Sequence, residues 1–279
     1  MKTYLDCYPC FLRQALEAAR MTGADERQQH GVLVRVLDLL RDVDLSGTPP
    51  EIGDQVHRLV RQELIDGDPY RAIKDTSTQQ ALALYPQLQA LVREASDPLD
   101  TALRLSIAGN IIDLGPGRAY DLWEVVQRIL VQPFALDDRI ALKEALGRAD
   151  RVLYLADNAG ETVFDRVLIE TLDVPVTYVV KGGPTLNDAT REDAVAAGLD
   201  QVAEVVDNGT DAPGTILARC SSEFRQLYHA ADLIIAKGQA NYETLSEAGS
   251  RVFFLLQVKC PVIGRDAGVP VGSIVLKRG

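Results

Sequence analysis

Histidine is scarce in this chain. Its 279 residues hold only three, His30, His57 and His229, and no two stand at metal-ligand spacing. Each is expected on a helix surface or at a cap, which disfavours a His-rich zinc hydrolase. The G-x-S-x-G of a nucleophile elbow and the P-loop pattern are both missing, which weakens serine-hydrolase and P-loop readings. No apolar stretch reaches the roughly 18 residues that suggest a membrane span. No basic run is present either. The 29 lysines and arginines face 40 acidic residues, a formal balance of −11, where a nucleic-acid binder carries a basic face. A small anionic ligand stays compatible with that balance, because a metal and a few local cations invert the field at one site. The opening MKTYLDCYPC is charged and polar where a signal peptide carries an apolar segment. The expected location is therefore the cytoplasm, where four cysteines are reduced, metal-linked or buried rather than disulfide-bonded.

What is present is a globular composition, 47% hydrophobic and 25% charged, which argues against disorder. The two halves differ in texture. Residues 1 to about 147 read as helices, with helical spacing over Phe11 to Met21, His30 to Asp42, Ile52 to Asp66, Gln79 to Ala95 and Leu122 to Leu130. Breaks fall at Thr48-Pro49-Pro50, Asp66-Gly67-Asp68-Pro69, Asp97-Pro98 and Gly115-Pro116-Gly117. From Arg151 onward, apolar runs of strand length (RVLYLA, VTYVVK, VAEVV, DLIIAK, RVFFLLQV and a terminal VGSIVL) alternate with helical stretches such as Thr162 to Leu172 and Thr215 to Ala230. That alternation predicts a mostly parallel sheet covered by helices, and continuous rather than alternating apolar runs fit strands buried on both faces.

The sharpest motif is YLADNAGET, residues 154 to 162. A buried strand ends in Asp157, Asn158, Gly160 and Glu161 just before a helix. Ligands of parallel sheets bind beyond the carboxyl ends of strands. The next strand ends in GGPTLNDAT, and a right-handed crossover sets that loop beside the first. Asp157 and Asp188 are 188 − 157 = 31 residues apart, about one βαβ unit. Two carboxylates and an amide oxygen suit Mg²⁺ or Mn²⁺. The plainer alternative is that Asp157 caps the helix and Asp188 ends a turn.

Three further segments are candidates. In DNGTDAPGT, residues 207 to 215, Gly209 and Gly214 would let a phosphate approach the backbone at a helix start, or would simply build a connecting loop. In AKGQANYETL, residues 236 to 245, Lys237 could neutralise a phosphoryl oxygen, Asn241 could bind substrate, and Glu243 could act as an outer base or ligand. A helix start with a cap at Asn241 explains the same residues. The C-x-x-C of Cys7 and Cys10 lacks the second pair of a zinc ribbon, although Cys260 in VKCP could add a third thiolate to a structural or accessory metal site. Cys220, inside the helical stretch ILARCSSEF, reads as core.

Taken in order, C-x-x-C, SIAGNIID (106 to 113), ADNAGE, KGGPTLNDAT, DNGTDAPGT, KGQANYE and VKCP resemble the damage-control phosphatase family, long catalogued as domain of unknown function 89. The cysteine-bearing version resembles its prokaryotic stand-alone subfamily. The resemblance implies an α/β fold: a three-layer α/β/α sandwich with a mostly parallel sheet, over about residues 148–279, that bears the metal. It implies an N-terminal all-helical part, about residues 1–147, that contributes to the active-site cleft. It implies a divalent cation (Mg²⁺, Mn²⁺, Co²⁺ or Ni²⁺) on Asp157, Asn158 and Asp188, and a small phosphorylated metabolite as substrate. Lys259 is the nearest match to a phosphate-contacting lysine of the family. From the motifs and the resemblance together, Asp157, Asp188, Lys237 and Glu243 are expected at the reaction. Asn110, Asp113, Glu161, Gly209, Gly214, Asn241 and Lys259 are expected around the substrate. A buried polar pair or a helix cap is the duller account of Asn110. A carboxyl methyltransferase on the same fold and a non-catalytic metal-binding module are the competing classes. No glycine-rich loop suits a methyl-donor cofactor.

Overall fold

A computed structural model describes residues 1–64, 68–111 and 122–279. Asp113, Gly115, Pro116, Gly117, Asp66 and Gly67 lie outside the described residues. The first helices are α1 (Cys7–Met21), α2 (Glu26–Arg41), α3 (Pro49–Leu64), α4 (Arg71–Glu94), α5 (Pro98–Ile111) and α6 (Leu122–Val131). Then come β1 (Phe134–Asp137), α7 (Arg139–Leu146), β2 (Val152–Leu155), a 3₁₀ turn at Ala159–Glu161, α8 (Thr162–Ile169), β3 (Val176–Val180), α9 (Arg191–Ala196) and β4 (Glu204–Asp207). The chain ends with α10 (Ser222–Ala230), β5 (Leu233–Lys237), α11 (Gly238–Leu245), β6 (Val252–Gln257), α12 (Pro261–Ala267) and β7 (Ile274–Arg278).

Seven strands form one sheet in the order β1-β7-β6-β5-β2-β3-β4. All pairings are parallel except β6 with β7. The central strands β2, β3 and β5 are buried along their whole length, as their unbroken apolar runs require when helices cover both faces. One face packs on α4, α5, α6 and α8 in a single hydrophobic cluster, and the other packs on α10, α11 and α12. Helices α1 to α3 enclose a third cluster of their own, built around Phe11, Val36 and Val56.

Three local differences from the sequence reading have physical causes. Strand β1 lies within the stretch that reads as helical, and α4 to α6 share the sheet's core. Four residues, FALD, at a sheet edge are too short to show a period. Helix α5 lacks an amphipathic stripe because it is buried nearly all round: Ala102, Leu105, Ser106, Ile107, Ala108 and Asn110 are all inaccessible. Finally, the helix expected from Thr215 does not run through Cys220. Residues Leu217–Arg219 form a 3₁₀ turn, Cys220 is extended, and Ser221 caps α10 by accepting from Phe224 N at 3.1 Å. Cys220 is nonetheless core.

Candidate active site

From β2 the chain moves outward to β3 and β4, then returns to β5 on the other side of β2. Such a reversal opens a crevice at the carboxyl ends of the strands that flank it. Asp157 and Asn158 leave β2 there, and Lys237 closes β5 beside them. Gly238 follows with φ +74°, and a Cβ at that position would land on the Asp157 carboxylate. Only glycine lets the β5 end pass so close.

The loop after β3 does lie against the loop after β2. Ala189 N donates to Asp157 O at 2.8 Å, Ala159 N donates to Asn187 O at 2.9 Å, and Asn158 pairs with Asp188 as an isolated bridge. Asp157 and Asp188 are therefore brought close together, both buried. Burial drives the Asp157 carboxyl well above the usual carboxylate range, and the neighbouring Glu161 and Asp188 add to it. Asp188 is raised too, first by burial, against the pull of Lys181 and Lys74. Asp188 Oδ2 lies 3.3 Å from Lys181 Nζ but accepts no well-directed hydrogen bond, so it is a buried carboxyl oxygen with spare acceptor capacity. Crowded carboxylates that resist ionisation, one with an unfilled lone pair, are the donor chemistry a hard divalent cation relieves. Asp157, Asp188 and the Asn158 amide fit such an ion. Among the described residues no group of three or more His, Cys, Asp and Glu side chains forms a ready metal-holding arrangement. Here the third donor is an amide.

The other expected residues divide. Asn110 reaches the site from α5: its Nδ2 donates to Asp157 Oδ2 at 2.9 Å and to Glu161 Oε1 at 2.8 Å. Glu161 is inaccessible and faces those amides, not the open crevice. Lys259 is near enough that its charge favours the ionised form of Asp157. Lys237, by contrast, is fully buried and donates to Ser106 O (3.0 Å), Glu161 Oε2 (3.1 Å) and Asp165 Oδ1 (2.7 Å). Its three protons are spent inside the protein, so it does not meet a phosphoryl oxygen. Burial alone would depress Lys237, but Asp165 and Glu161 outweigh it and raise its pKa. Asn241 is likewise consumed, donating to Ala156 O and Lys237 O and accepting from Thr215 Oγ1. Gly209 and Gly214 serve packing: a Cβ would strike Ser221 at the first and the Ala240 carbonyl at the second.

Glu243 lies elsewhere. It sits on α11 beside Cys7 and Cys260, where the chain's amino group donates to its carbonyl at 3.2 Å. Burial pushes its carboxyl up to about 8. Cys7, Cys10 and Cys260 are neighbours of one another there, but not a metal-holding group. Two of these thiols serve their own helices. Cys260 Sγ caps α12 by accepting from Ile263 N, and Cys10 Sγ accepts from Arg13 and Gln14. His57 is buried rather than on a helix surface, and burial with Arg61 keeps it neutral, down to about 4.

Sequence reasoning missed Asp165, Lys181 and Lys74. Asp165 stands one helical turn after Glu161, and that i, i+4 carboxylate pair within an apolar helix was the available signal. Lys181 ends β3 and donates to Gly214 O while pairing with Asp188. Lys74, inaccessible on α4, pairs with Asp193 at 2.7 Å. Its position has no local signature in the sequence.

The model of the damage-control phosphatase ARMT1-like domain matches residues 3–275, and the chain belongs to that family. It is 34% identical to a damage-control phosphatase of Pyrococcus horikoshii over 100% of this chain and 98% of that one, and 34% identical to a damage-control phosphatase of Archaeoglobus fulgidus over 97% of each. An uncharacterized protein of Methanocaldococcus jannaschii is 36% identical over 98% of this chain and 94% of its own length. The crystal structure of a DUF89 family protein from Pyrococcus horikoshii superposes with a TM-score of 0.91, at 34% identity, covering 100% of this chain and 99% of that one.

Proposed function

We propose that this chain is a divalent-metal-dependent phosphatase that hydrolyses phosphate monoesters of small metabolites, sugar phosphates among them, as a damage-control enzyme. The observation that carries it is the neighbouring buried pair Asp157 and Asp188, with Asp188 Oδ2 accepting no directed hydrogen bond beside its Lys181 ion pair, on a chain 34% identical end to end to proteins named damage-control phosphatases. Asp157, Asn158 and Asp188 would hold the cation, with Mg²⁺, Mn²⁺, Co²⁺ and Ni²⁺ as the candidates. When bound, the cation supplies charge neutralisation to the phosphoryl group and acidifies water. Lys259, whose charge is felt at Asp157, would add positive charge that draws the phosphate in. Lys181 keeps the Asp188 carboxylate in place. The acidic balance and unpaired cysteines suit the cytoplasm. The family match favours this reading over a methyltransferase.

The test is hydrolysis of p-nitrophenyl phosphate and a sugar-phosphate panel by purified protein with each of the four cations. Activity should need the cation, vanish with chelator and return on readdition. Full activity in Asp157→Ala would remove the site assignment, and saturable binding of a labelled methyl donor would reopen the methyltransferase reading.

A further inference from the structure

Four side chains close a square at the site. Asp157 Oδ2 and Glu161 Oε1 form one pair of corners. The amide nitrogens of Asn110 and Asn158 form the other, each donating to both oxygens at 2.6 to 3.1 Å. The amide of Asn110 is fixed from outside as well, because its Oδ1 accepts from Gln257 N at 3.2 Å. With both N–H groups of Asn158 spent on the two carboxylates, its Oδ1 necessarily points the other way. Glu161 is held from behind by Lys237, which is seated on Asp165, and Asp165 accepts in turn from Ser106 Oγ, Tyr154 OH and Tyr178 OH. This stack runs from the sheet core to the crevice, and every member is buried.

We infer that Glu161 is a positioning residue. Clamped by Lys237, it sets the amide of Asn158 so that Oδ1 rather than Nδ2 faces the cation, and it leaves Asp157 Oδ1 clear of the amides. It neither contacts the cation nor moves a proton. This rests on the metal-site reading above. Partners that orient ligands in this way commonly change metal affinity by about 10- to 100-fold when lost.

Glutamine at position 161 has one oxygen and one NH₂ where glutamate has two acceptors. Either orientation puts its NH₂ against the asparagine NH₂ groups or against the Lys237 ammonium. Removing Lys237 as well lets the glutamine turn its oxygen to the asparagines. Mn²⁺ affinity, read by electron paramagnetic resonance on wild type, Asp157→Asn, Glu161→Gln and Glu161→Gln/Lys237→Met, tests this, with circular dichroism to confirm folding. The expected result is loss of binding in Asp157→Asn, at least a tenfold loss in Glu161→Gln, and recovery of most of it in the double variant. If Glu161→Gln binds like wild type while Asp157→Asn does not, the positioning role is overturned and the metal site stands. A double variant as weak as Glu161→Gln makes Glu161 a ligand and overturns the role too. If wild type fails to bind Mn²⁺, or Asp157→Asn binds equally well, the metal-site reading itself falls, and the inference with it. Should the double variant not fold, the side-chain NH₂ resonances of ¹⁵N-asparagine-labelled Glu161→Gln decide. Movement of two pairs, from Asn110 and Asn158, supports the role, and an unchanged spectrum overturns it.

Discussion

Asn110 and Asp157 are 47 residues apart in the chain and meet at 2.9 Å, amide nitrogen to carboxylate oxygen. The bond ties α5 to the end of β2. Asn110→Asp replaces a donor by a third carboxylate facing Asp157 and Glu161, with no change in size. The expected cost is on the order of 2–4 kcal/mol, seen as a lower melting temperature, together with a loss of about 10²-fold or more in phosphatase kcat/KM. A variant with wild-type stability and rate would show that the square is dispensable.

Gly238 is the second lever. Gly238→Ala would add a Cβ where the Asp157 carboxylate lies and force a left-handed backbone on a non-glycine residue. The backbone strain alone costs roughly 1–2 kcal/mol, so the protein should still fold. Displacement of Asp157 should remove cation-dependent hydrolysis almost completely. Kinetics and a thermal melt of the same preparation separate the two effects.

Two lysines near the site should behave in opposite ways. Lys237→Met strands Asp165 and Glu161 as buried carboxylates without a cation, a loss of about 3–5 kcal/mol, visible in denaturant titration. Lys259 is partly exposed. Lys259→Gln should leave the melt nearly unchanged and raise KM for phosphate esters by roughly tenfold, about 1.4 kcal/mol of lost phosphate attraction. An unaltered KM would remove Lys259 from the phosphate site.

In the metal-free protein Glu243 should contribute a loss of stability as pH rises, opposed below about pH 6.5 by neutral His57. Glu243 is raised from 4.5 to about 8, so between those values the folded state holds a proton that the unfolded chain has released. Its contribution to stability then falls with rising pH across that window. Asp157 and Asp188, also raised, act in the same direction. Glu243→Gln should flatten the melting-temperature profile between about pH 4.5 and 8, and a saturating divalent cation should cancel the Asp157 and Asp188 share. A Glu243→Gln profile with the same slope as wild type would refute the assignment of Glu243.

Much of this was legible in the chain. Unbroken apolar runs of strand length, alternating with helical stretches, fit strands buried on both faces, and polar residues directly after them fall at the carboxyl edge of such a sheet. Spacing of one βαβ unit then brought Asp157 and Asp188 to the same edge. These are local patterns, and a sequence carries them directly. What each polar group does once there depends on which donors arrive from other elements. Lys237 reads like a phosphate cation until Glu161, in the 3₁₀ turn, and Asp165, on α8, accept its hydrogen bonds. Glu243, two residues past Asn241, is carried by α11 to the cysteines instead of the crevice. Lys74 enters from a helix whose own sequence says nothing of the site. The sequence alone therefore determined the sheet apart from its β1 edge, and the strand ends to which Asp157 and Asp188 belong. Only the tertiary structure decided which charges are satisfied and which remain for a ligand, because hydrogen-bond satisfaction belongs to the packed neighbourhood and not to the chain.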